Sequence, residues 1–152
     1  MGVIKRQDIA EGERSLTVWK ETAKHEASGV LNDKKTYFSD IDARRHQGAD
    51  AGVDALPRRT WAMAVRYSLA LLERKAPGEG VEVRVAPWGA IKILDGPASD
   101  PHNLTPPDVI ELEPDVWLRL ACGLTTWDEE KDAGHISAVG ERDDLSDLLP
   151  LV

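Results

Sequence analysis

The chain has 152 residues, 41% of them hydrophobic and 30% charged, an ordinary folded-domain composition that can bury roughly 70% of its unfolded surface. Its 19 Lys and Arg against 27 Asp and Glu leave a net charge of −8, which argues against a nucleic-acid partner, because phosphate binding needs a basic surplus on one face. The single cysteine, Cys122, excludes an intrachain disulfide framework, and no run approaches the roughly 18 apolar residues of a membrane span.

Met1 to Ile4 is followed at once by Lys5 and Arg6, the wrong order for a secretory leader, so a cytoplasmic location is expected. Asp8 can cap a first helix running to about residue 27, with Ser28-Gly29 as its stop. Leu16, Trp19 and Ala23 share one face of it, and Gly12 weakens its first turns. Residues 30–57 are polar and read as loops, with two helical turns conceivable over 39–46. The periodicity is clearest over 58–75, where Trp61, Val65, Leu69 and Leu72 form a stripe widened by Met63, Tyr67, Ala70 and Leu71. A helix with so broad an apolar surface belongs at the centre of the fold. Ala76-Pro77-Gly78 stops it.

The period then changes from 3.6 to 2. Val81, Val83 and Val85 alternate with Glu82 and Arg84, a turn follows at 86–89, and Ile91 and Ile93 flank Lys92 in a returning strand. A loop rich in Pro and Asp leads to a third strand over 108–112. Pro114 opens a helix that ends at Gly123, and Thr126 with Glu129 makes a T-x-x-E capping pattern for a short helix ending at Gly134. Residues 135–139 form a fourth strand, and 144–149 a last helical turn or two before Pro150. Neighbouring strands with helices gathered before and after them indicate an α+β fold.

Candidate chemistry is sparse. The histidines, His25, His46, His102 and His135, form no metal-ligand spacing; Asp42, His46 and Asp50 at i, i+4 and i+8 are read as a solvated loop. His102 beside Asp100 could act in acid–base chemistry only within a pocket, so catalysis would need a cleft gathering His102, His135 and carboxylates. Cys122, at the end of an apolar helix, is expected to be a buried, inert thiol. There is no nucleophile elbow or phosphate loop, and no catalytic residue, cofactor or metal is assigned. Five tryptophans stand against one phenylalanine. Trp61 and Trp117 are read as core and Trp88 as exposed in its turn.

From about Arg58 onward the chain resembles the bacterial relatives of sterol carrier protein. The resemblance runs through 81–90 (VEVRVAPWGA), Gly96-Pro97, 105–111 (TPPDVIE), 115–123 (DVWLRLACG), 133–142 (AGHISAVGER) and 144–150 (DLSDLLP). It covers roughly the last two-thirds of the chain. Asn103-Leu104 stand where that family tends to carry Arg-Gly before its Thr-Pro-Pro. The resemblance implies one domain, with a sterol-carrier-like core over 58–152 and a helix plus a loop-rich extension over 1–57. It also implies a small antiparallel or mixed sheet of four or five strands covered by helices. It implies a non-enzymatic carrier of an apolar ligand (fatty acyl, lipid or sterol-like) held between sheet and helices. The walls would then come from Trp61, Val65, Leu69, Val83, Val85, Ile91, Ile93, Trp117 and Leu118. The rival reading is an interaction or scaffold module in which these residues fill one another's space. A third is the accessory domain of a thiol-dependent isomerase, because a similar domain ends the maleylpyruvate isomerase family, whose metal-binding helical domain is not expected within these 152 residues.

Overall fold

The structure, a computed structural model, describes residues 2–32, 52–96 and 108–152, with 30–32 as backbone alone. The expected turns over 39–46, the Asp42/His46/Asp50 pattern, the surroundings of His102 and any fifth strand within 97–107 lie outside these residues.

Helix α1 runs Ile9–Asn32, and α2 runs Arg58–Lys75. Strands β1 (Pro77–Val85), β2 (Gly89–Ile93) and β3 (Asp108–Leu112) follow, then α3 (Pro114–Ala121), α4 (Trp127–Asp132) and β4 (Ile136–Val139). Short 3-10 turns occupy Arg6–Asp8, Val53–Ala55 and Ser146–Leu148. The order is the expected one, and the architecture is α+β. Central α2 packs against the sheet, α3 and α1. Trp117 Nε1 donates to Ser68 Oγ of α2 at 2.8 Å, while that hydroxyl donates back to its own helix at Ala64 O, 2.8 Å away. One polar pair is thereby satisfied deep in the core.

The sheet has the order β2-β1-β3-β4. β1 and β2 form the expected hairpin, β3 lies parallel to β1, and β4 returns antiparallel to β3. The sheet is therefore mixed. Val81, Val83, Val85, Ile91, Ile93, Ile110 and Leu112 are buried beneath the helices. On the opposite face, Arg84 pairs in register with Glu111 and bonds it at 3.2 Å.

Four local expectations change. Asp8 does not cap α1; it closes the preceding 3-10 turn, its N–H donating to Lys5 O. Ser28-Gly29 does not stop α1, which continues to Asn32, because one glycine with open space around it costs only about 1 kcal/mol of helix propensity. Gly12 serves packing: a Cβ there would lie 2.7 Å from Tyr67 Cβ and 2.8 Å from Ile4 Cδ1, so the bare backbone lets α1 approach α2. Finally, β1 begins at Pro77 rather than Val81. Gly80 N–H donates to Leu94 O at 2.7 Å across an irregular register, and a Cβ on Gly78 would sit 2.1 Å from the Leu94 carbonyl.

The later elements follow their local signals. Pro114 occupies the first turn of α3, and Gly123 takes φ +70° after it. Thr126 accepts the Glu129 N–H at 3.2 Å and opens α4 as expected.

Candidate functional site

The nine residues expected to wall an apolar site come together. Val65, Leu69, Val83, Val85, Ile93, Trp117 and Leu118 are fully buried, Ile91 is 4% exposed, and all eight belong to one hydrophobic cluster. Trp61 packs partly buried at its edge. None of the nine lines either cleft described below.

Trp61 stands in a series of three indoles. It meets Trp19 edge-on, with ring centroids 5.7 Å apart, and stacks on Trp88 at 6.1 Å. Its N–H donates to Val53 O at 3.0 Å. Trp88 is thus half-buried rather than exposed, since stacking and the Arg58 guanidinium 5.8 Å from its ring cover it.

The larger cleft, of about 700 Å³, opens between α1 from Trp19 onward, the turn at Val53–Ala55, and Asp115 and Arg119 of α3 with the turn that follows it. Trp19, Ala23, Ala27, Val53 and Leu124 give it an apolar floor. Trp19 is 1% exposed, and its indole N–H has no hydrogen-bond partner. Around this floor stand the cations Lys24 and Arg119 and the carboxylates Glu26, Asp54 and Asp115. Glu26 Oε2 accepts the Val53 N–H at 3.3 Å, tying α1 to the turn beside the cleft.

Arg119 is engaged from behind. Its Nε and Nη2 bond the two oxygens of Glu130 at 3.0 and 3.2 Å, and Nη1 bonds Asp115 at 2.9 Å, one helical turn away. Glu130 is only 4% exposed, and the His135 ring meets its Oε2 at 2.6 Å through Nδ1. Burial works against ionisation of Glu130; the hydrogen bonds from Arg119 and His135 and the charge of Arg119 outweigh it and hold the carboxyl below the usual glutamate range. An ionised carboxylate only accepts, so Nδ1 carries the proton in this pair.

His135 lines a second cleft of about 400 Å³ together with Arg84, Glu111, Glu113 and Ser137. The histidine is oriented by a carboxylate as a general base would be. Arg84, the cation there, is engaged by Glu82 at 2.9 Å and Glu111 at 3.2 Å. Among the described residues no group of three or more His, Cys, Asp or Glu side chains could hold a metal ion. Cys122 is buried as expected, and burial, partly opposed by Lys20 and Lys24, pushes its thiol up to about 11.

Sequence reasoning did not single out the Arg119–Glu130–His135 network or the floor around Trp19. The Asp115–Arg119 spacing is legible as an i, i+4 pair. Glu130 reaches Arg119 only because the turn after α3 folds α4 back beside it, and no periodicity signals that.

The family model described as bacterial SCP ortholog, the abbreviation standing for sterol carrier protein, covers residues 57–151. This span runs from the start of α2 to the penultimate residue and leaves α1 outside it. No curated protein matches the chain.

Proposed function

We propose, on the premise that the chain belongs to the bacterial sterol carrier protein orthologue family, that it binds and carries an apolar small molecule without reacting on it. The observation that carries this reading is the cleft beside Trp19. Its volume of about 700 Å³ falls within the range of small-molecule sites, and its floor is apolar with a few polar groups around it. A ligand seated there would rest on the outer side of the core that the nine wall residues build, with Trp61 directly behind Trp19. Removing the ligand's apolar surface from water contributes about 25 cal/mol per Å².

A second reading has an observation in its favour. Eight of the nine wall residues are at most 4% exposed and pack on one another, which suits a domain that acts through its surface.

Native mass spectrometry separates the two. Protein purified without detergent, and the same protein after organic extraction and incubation with a lipid mixture, would be weighed intact and the bound species identified. A stoichiometric apolar molecule, lost on replacing Ala23 and Ala27 with Trp while circular dichroism is unchanged, supports the carrier. A bare mass in both preparations overturns it and leaves the surface module.

A further inference from the structure

The cleft's charged lining bears on what kind of molecule it accepts, an inference that rests on the carrier reading. A free carboxylate head would need an available cation. Arg119 is already committed: three of its five N–H donors bond the Glu130 and Asp115 oxygens at 2.9–3.2 Å, and these two carboxylates offset its charge, with Glu130 buried behind it. Lys24 shares the lining with Glu26 and Asp54, while Asp115 shares its charge with Arg119. Among the described residues three carboxylates and two cations line this cavity, and Glu130, outside the lining, offsets the charge of Arg119 from behind. Walls of low dielectric strengthen that imbalance, and a carboxylate brought into it would be repelled.

We infer that the cleft selects an apolar molecule with a positively charged head, an organic ammonium, and discriminates against the carboxylate of the same chain length. Two features fit an ammonium in particular. Its alkyl body would lie on Trp19, Ala23, Ala27 and Leu124, and its head would reach the carboxylates of Glu26 and Asp54, both on exposed positions at the mouth. An indole wall also tolerates a cation over its face, which a carboxylate cannot use.

The test is competition for the cleft by three twelve-carbon probes below their micelle concentrations: dodecyltrimethylammonium, dodecanol and dodecanoate. Each would displace the uncharged fluorophore N-phenyl-1-naphthylamine at low ionic strength and again in 0.5 M salt, a range over which screening changes steeply. The expected order is ammonium first and carboxylate last, separated by about tenfold at low salt and by less at high salt. Asp54→Asn, an exposed change that leaves the core untouched, should narrow the gap several-fold. Glu130→Gln removes one of the two carboxylates that offset Arg119, which keeps Asp115, and should favour dodecanoate specifically. Glu73→Gln, on α2 outside the cleft, should leave the gap unchanged and so separates a local effect from the chain's overall negative charge. Equal affinities, a carboxylate preference, or a gap that Glu73→Gln narrows as much as Asp54→Asn would overturn the inference while leaving the carrier reading intact. If neither the fluorophore nor any of the three binds, the carrier reading itself fails.

Discussion

Replacing Glu130 with Gln keeps the shape of the side chain and removes its charge. In the native protein this carboxylate accepts two bonds from Arg119 and one from His135, with its own side chain 5% exposed. The amide offers one acceptor and turns two N–H donors toward groups that are themselves donors. Breaking a buried ion pair costs roughly 3–5 kcal/mol when the partner charge is stranded. Here Arg119 is 29% exposed and keeps Asp115, so water and that aspartate take up part of the charge, and about 2–3 kcal/mol is expected. Asp115→Asn, at a carboxylate 48% exposed, should cost under about 1 kcal/mol. Urea titration at pH 7 reads both, provided the slope is unchanged. The pH dependence has a definite sign. The folded-state pKa of Glu130 lies below its unfolded value, so its contribution is complete above the ordinary glutamate range and is lost as the pH falls through the folded value. The gap between wild type and Glu130→Gln should therefore close in acid. Two variants within about 0.5 kcal/mol of each other, or a gap constant from pH 7 to pH 3, would refute the reasoning.

Other outcomes follow from the same packing. Gly12→Ala should destabilise by about 1–3 kcal/mol in thermal or urea unfolding, although alanine is the better helix former, because its methyl meets Tyr67 and Ile4 at under 3 Å. Trp117→Phe should cost about 1 kcal/mol more than Trp19→Phe: both lose ring area, but only Trp117 gives up a hydrogen bond, to Ser68. Cys122, with its thiol pushed up to about 11 by burial, should react with Ellman's reagent at pH 8 only as fast as the protein opens, and at once in denaturant; prompt reaction of the native protein would contradict its burial.

What the sequence determined by itself is what acts over one or two turns of chain. Helix α2 was legible because Trp61, Val65, Leu69 and Leu72 repeat at the helical period, and its limits agree with the structure. The alternation of Val81, Val83 and Val85 gave the buried face of β1, and Pro114, Gly123 and Thr126 marked their helix ends. The nine residues expected to wall a ligand belong to one hydrophobic cluster or pack on its edge, since apolar faces must meet one another somewhere. The family, too, was readable from motifs, because those strings encode turns and strand faces.

Only the tertiary structure decided where these surfaces meet. The parallel pairing of β3 with β1 depends on where the chain re-enters after the hairpin, and an antiparallel pairing would satisfy the same alternation. Gly12 reads as a helix-weakening residue until Tyr67, 55 positions later, is brought against it. Arg119 looks like half of an exposed i, i+4 pair until α4 brings up Glu130 and, behind it, His135. The cleft beside Trp19 is of the same kind: its lining comes from α1, from the turn at Val53–Ala55, and from α3 with the turn after it. Local propensity acts on neighbours in the chain, whereas a cavity and a buried charge network are set by which distant segments share one volume.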